Sequence, residues 1–129
     1  MPVTYEIDKT KQIIRTRCAG NVTFEEVIGH FPELERDPDC PDRLDVLLDL
    51  SDLASLPQSD QLRAVSHEID RVRGRVRFDA CAIVASKDAV FGIARVFEVF
   101  AEEGFRVTRV FRTVDEAEAW LASQQSPAA

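Results

Sequence analysis

Two short apolar runs, "RLDVLLDL" at residues 43–50 and "RFDACAIVAS" at 77–86, constrain this chain more than any other feature. Both have strand length, and large apolar neighbours such as Leu47 and Leu48 replace the alternation of a half-exposed strand. A strand apolar on both faces needs helices above and below it, so the intervening segments must supply them. "PQSDQLRAVSHEIDRVRG" carries Leu62, Val65, Ile69 and Val72 on one helical stripe, with Gly74 where a helix commonly ends. "GNVTFEEVIGHF" carries Phe24, Val27, Ile28 and Phe31 at helical spacing, with Thr23 and Glu26 in capping-box positions. That helix should start at Thr23 and kink or stop near Pro32, which has no N–H to donate.

"VTYEID" and "QIIRTRC" flank the polar "DKTK" and read as an N-terminal hairpin. "FRVTRVF" is a further strand run, and Thr113 with Glu116 repeats the capping-box spacing before a last helix through Ala117, Trp120 and Leu121. With a helix over residues 90–103, the order is β-β-α-β-α-β-α-β-α. Strands alternating with helices are joined by right-handed crossovers and lie parallel, the tight hairpin excepted. The expectation is an α/β fold with one mixed, mostly parallel five-stranded sheet and an N-terminal antiparallel hairpin. A chain of 129 residues, 45% hydrophobic, supports one core of this kind. We assign residues 1–123 to it and read 124–129 as a disordered tail. Ligands of open parallel sheets gather beyond the carboxyl ends of the strands. Those ends carry Gly20 and Asn21, then Asp49, Ser51 and Asp52, then Ser86, Lys87 and Asp88, and last Arg112 and Thr113.

Charge narrows the class of partner. Sixteen Lys and Arg against twenty-three Asp and Glu leave a net charge of −7, which disfavours nucleic acid and anionic membrane. No apolar run reaches the ~20 residues of a bilayer span, and "MPVTYEIDKTKQ" lacks the basic start and apolar middle of a secretory signal. A cytoplasmic protein with no transmembrane segment is expected. Cys18, Cys40 and Cys81 are odd in number and widely spaced, which fits neither a disulfide framework nor a zinc site. Cys18 and Cys81 read as small hydrophobes in strands, and Cys40 in "PDCPD" as a loop thiol among acids. Residues 25–60 hold eleven acids and only Arg36 and Arg43 as bases, whereas "RVRGRVR" at 71–77 holds four arginines. Arg71 and Arg73 suit a helix C-terminus, and Arg75 and Arg77 a solvated strand entry.

Catalytic chemistry is not indicated. His30 borders the buried stripe of its helix, and His67 points away from the stripe of its own. Asp49, Ser51 and Asp52 lack the glycine turn of a calcium loop, so they read as capping and turn residues and no metal is assigned. Neither a dinucleotide fingerprint nor a Walker motif occurs, and no cofactor is implied. Ser59, before Asp60 and Gln61, reads as a helix N-cap.

The stretch "AVFGIARVFEVFAEEGF" at 89–105 places four of the eight phenylalanines within fifteen residues. On a helical wheel Val90, Ile93, Ala94, Val96, Phe97, Phe100 and Ala101 share one arc that should pack on the sheet. Phe91 and Val99 fall on the opposite side with Arg95, and Gly92 leaves room there for the close approach of another backbone. Phe91, Gly92, Arg95 and Val99 are therefore the candidate contact site for a partner or ligand.

Four segments give the chain a likeness to a known family: "GNVTFEEV", "VLLDLSDL", "AIVASKDAVFGIARVFEVF" and "VTRVFRTVDEAEAWL". Together they resemble the SpoIIAA-like family, relatives of the STAS domain of anti-sigma factor antagonists that have also been grouped with Sec14-type lipid-binding domains. The resemblance implies a β-α superhelix with strands in nearly sequential order, and binding or signalling in place of catalysis. STAS antagonists are phosphorylated on a serine within an Asp-Ser-Ser-Gly motif after the third strand. The matching stretch here is "LPQSD", with Pro57 and Gln58 in the first two places and Asp60 in that of the glycine, so Ser59 is the candidate phosphosite. The function expected first is a non-catalytic STAS-like binding or regulatory module acting through a protein partner or as a homodimer. The alternatives are a carrier or sensor of a small apolar, lipid-like ligand, and an unrecognised enzyme.

Overall fold

The computed structural model describes residues 2–125, and its backbone follows the alternation of the sequence. Strands β1 (Val3–Asp8) and β2 (Ile13–Cys18) form the hairpin, followed by α1 (Phe24–Glu35) and β3 (Arg43–Asp49). Then come α2 (Ser59–Arg71), β4 (Arg77–Val84), α3 (Asp88–Phe100), β5 (Val107–Phe111) and α4 (Val114–Gln124). Short 3-10 turns, Val72–Gly74 and Ala101–Glu103, prolong α2 and α3. The five-stranded sheet has the order β1-β2-β3-β4-β5, antiparallel between the first two strands and parallel throughout the rest. No helix among the described residues is long and apolar enough to cross a membrane.

The sheet divides the core in two. Ile14, Leu44, Cys81 and Ile83 face α1, α2 and α3, while Ile13, Leu47, Ala82 and Val84 face α4 through Ala117 and Leu121. Phe78 packs in the first cluster and Ala80 in the second, although residues two apart on a regular strand share a face. The register explains this: Leu44 pairs with Phe78 and Val46 with Cys81, so a two-residue step on β3 faces a three-residue step on β4. This bulge frees the Ala80 N–H from the ladder, and it donates instead to Oδ1 of the fully buried Asp45 at 3.0 Å. Arg43 and the Gln125 side-chain amide also donate to that carboxylate, at 3.2 and 2.8 Å.

Several local expectations give way to tertiary context. Helix α1 runs through Pro32 to Glu35. Its Thr23 cap is as expected: Thr23 Oγ1 accepts from the Glu26 N–H at 3.2 Å and Glu26 Oε1 accepts from the Thr23 N–H at 2.9 Å. Thr113 likewise accepts from the Glu116 N–H, but its own hydroxyl, not its N–H, donates to the Glu116 carboxylate. Helix α2 is capped one residue earlier than expected. Gln58 is the N-cap, its N–H donating to Gln61 Oε1 at 2.9 Å, and Ser59 is the first helical residue. Cys40 lies in a loop yet is buried in the core. Arg75 is not a solvated residue: it donates to the Asp37, Cys40 and Pro41 carbonyls and holds that loop in place. Helix α4 continues to Gln124, and the Gln125 amide also donates to the Lys11 carbonyl. Of the segment read as a tail, residues 126–129 lie outside the described residues.

Candidate functional site

The four parallel strands bring their carboxyl ends to one edge, where the chain between β3 and α2 folds back over the sheet. Gly20, at φ +72°, supports this fold with a backbone that favours glycine. Its N–H donates to the Asp52 carbonyl and its carbonyl accepts from the Ala54 N–H, both at 2.8 Å. Ser55 Oγ accepts from the Val22 N–H at 3.0 Å, and Lys87 Nζ donates to the Leu53 carbonyl at 3.2 Å. The loop is thus tied to β2, to the start of α1 and to the start of α3.

Beneath it lies a cavity of about 370 Å³. Its floor is Cys18, Leu48 and Ile83 on the sheet, and its walls are Val27 on α1, Val65 on α2 and Phe97 on α3. Leu53 and Leu56 of the loop form its rim, Leu53 buried and Leu56 52% exposed. The polar residues of the lining, Thr23, Ser55, Gln58 and Gln61, sit at the loop and at the N-termini of α1 and α2. Among the described residues, no Asp, Glu, Lys or Arg lines the cavity. A volume of this size with apolar walls and a few polar groups at one end is the ordinary form of a small-molecule site.

The strand-end residues named from the sequence do come together, but they bond to one another. Asp49 Oδ1 accepts from the Ser51 N–H at 3.0 Å, the Ser51 carbonyl accepts from Ser86 Oγ at 3.4 Å, and Asp52 pairs with Arg17. With Lys87 on Leu53, they shape and pin the loop. The α3 set divides. Phe91 is half-buried against the core, and the Arg112 guanidinium lies over its ring at 3.9 Å while donating to Asp88 at 2.8 Å. Phe91 is therefore covered from within the chain, contrary to the wheel. Gly92 has nothing of this chain within 4 Å of the position a Cβ would take. Arg95 pairs with Glu98 at 3.1 Å, Val99 is 65% exposed, and Val96, expected in the buried arc, is 40% exposed.

Burial pushes the Cys18 thiol up to about 11, with Asp49 adding to the effect. Cys81 is pushed up by burial and Glu98, and Cys40 by burial, which nearby Arg75 partly offsets. Burial lowers the His30 imidazole below its ordinary value, with Glu33 opposing. The ring packs edge-on against Tyr5 with centroids 5.1 Å apart. Among the described residues no group of three or more His, Cys, Asp or Glu could hold a metal ion.

Helical periodicity places Leu62, Val65 and Phe97 on core-facing stripes, but the space between them depends on how α2 and α3 sit on the sheet. One signal was present in "LSDLASLPQ", where Leu50, Leu53 and Leu56 recur every third residue in a segment too polar and proline-bounded for a helix. All three line the cavity.

Comparison with known proteins agrees with this architecture. The SpoIIAA-like family model matches residues 13–122, which takes in every element except β1. Among solved structures, an uncharacterised protein from the DUF3478 family with a SpoIIAA-like fold, from Shewanella loihica PV-4, is similar to this chain. The likeness covers 92% of this chain and 91% of that one, with a TM-score of 0.60 at 17% sequence identity, and it shows the fold. No curated protein matches. On the extent of the family match, the chain belongs to the SpoIIAA-like family.

Proposed function

We propose that this protein is a non-catalytic binding module that holds one small apolar, lipid-like ligand, as its carrier or sensor. The cavity of about 370 Å³, walled by aliphatic and aromatic side chains and, among the described residues, free of charged ones, carries the reading. An apolar ligand there gains the burial of its surface and meets no charge that must be desolvated. Among the described residues, the raised thiols and the mutual bonding of the strand-end polar groups favour binding over catalysis. Three free cysteines suit a reducing compartment, so the cytoplasm is the proposed location.

A second reading, action through a protein partner or a second copy of the chain, is favoured by Val96 and Val99 on the outer face of α3. Native mass spectrometry of protein purified without detergent addresses both. The ligand reading predicts a monomer with one extra mass that organic extraction removes, and that Ile93→Trp, which fills the cavity, no longer retains. A bare protein that also gives no saturable fluorescence with N-phenyl-1-naphthylamine would overturn it. A stoichiometric dimer without ligand would favour the second reading.

A further inference from the structure

A second, smaller space of about 90 Å³, the inner one, lies beside the first along the same face of the sheet. Cys18, Val27, Leu48, Val65 and Phe97 line both spaces, so a wall one side chain thick divides them. The inner space continues toward Val46 on β3 and Phe31 on α1. From Leu50 at the outer end to Val46 at the inner one, β3 and its continuation advance about 13 Å. From Thr23 to Phe31, α1 advances about 12 Å. Two elements on different sides thus give one length for the joined space.

The ends of this path differ in chemistry. The inner one is lined mainly by apolar and aromatic side chains, with Thr16 and with His30, whose burial favours its neutral form. The outer one has the amides of Gln58 and Gln61 beside the first turns of α1 and α2. Those turns already carry Glu25, Glu26 and Asp60, which offset the positive ends of the helix dipoles. Among the described residues, no Lys or Arg lines either space to pair with an anion.

We infer that the ligand is a single unbranched hydrocarbon chain with an uncharged polar end, such as an alcohol or ester. The tail displaces Val65 and Phe97 to enter the inner space, and the polar end stays at Gln58 and Gln61. The inference rests on the cavity reading above and narrows its ligand class.

Calorimetric titration with straight-chain alcohols from hexanol to dodecanol, with dodecanoate and with the compact alcohol adamantanol tests it. In the wild-type protein each added methylene should tighten binding about fourfold, and dodecanol should bind more tightly than dodecanoate or adamantanol. In Val46→Phe, which narrows only the inner space, the gain from hexanol to dodecanol should shrink at least tenfold. The wild-type series stands alone should that variant fail to fold. A flat series, adamantanol bound as tightly as dodecanol, or a folded Val46→Phe with an unchanged gain would overturn the elongated site and leave the cavity reading intact. Dodecanoate binding more tightly than dodecanol would overturn the uncharged end. Failure of every probe, adamantanol included, would sink the cavity reading as well.

Discussion

Asp45 shows how one side chain can hold a fold at the point where its ladder is interrupted. Its carboxylate replaces the partner that the β4 bulge takes from the Ala80 N–H, and it receives Gln125 from the far end of α4. Asp45→Ala should cost about 1–3 kcal/mol for the stranded Ala80 N–H alone, and Asp45→Asn less, since its carbonyl still accepts; urea unfolding measures both. His30 makes a prediction in pH. Its folded pKa is lowered from 6.5, so the unfolded chain binds the proton more readily. The associated stability is therefore complete above pH 6.5 and is lost as the pH falls from there through the folded value. Asp8, Asp37, Asp79 and Glu118 have their own pKa values lowered by hydrogen bonds and ion pairs. Their losses come at more acid pH than that of His30. Thermal melts from about pH 7 to pH 5 should thus show a decline that His30→Phe flattens.

At the scale of elements, the caps separate local from tertiary control. Thr23→Ala should cost about 1 kcal/mol and Thr23→Ser little, because the Thr23 hydroxyl holds the Glu26 N–H. Ser59→Ala should change stability by less than about 0.5 kcal/mol, because Gln58 and not Ser59 is the N-cap of α2. Chemical denaturation of the three variants checks the contrast. Element type and order were legible in the sequence because strand and helix periods depend on neighbours a few residues away. The continuation of α1 past Pro32, the cover over Phe91 and the burial of the loop residue Cys40 are not legible locally because their settings are made at long range. The helix around Pro32 continues while Phe31 and Leu34 stay buried, and Phe91 is covered by Arg112 from twenty-one residues further on. Cys40 is enclosed by a loop that Arg75 holds. A helical wheel sees none of these contacts.

For the whole molecule, the sheet's two faces do different work. The face under α4 is close-packed on alanines, with Ala80, Ala82 and Ala117 fully buried, whereas the face under α1, α2 and α3 keeps room between its large side chains. The candidate site was legible only as a list of apolar stripes, since an empty volume is a property of how three helices sit together. The strand ends lie on one edge, where Ser86 and Lys87 donate to the carbonyls of Ser51 and Leu53 in the loop over the cavity. Methyl-resolved NMR of the isotope-labelled protein, titrated with dodecanol, tests the central claim most directly. Saturable shifts should fall on the methyls of Val27, Leu48, Val65 and Ile93, with Val96 and Val99 unmoved. The contrary result is an unperturbed cavity with any apolar probe, together with shifts at Val96 and Val99 that follow protein concentration alone.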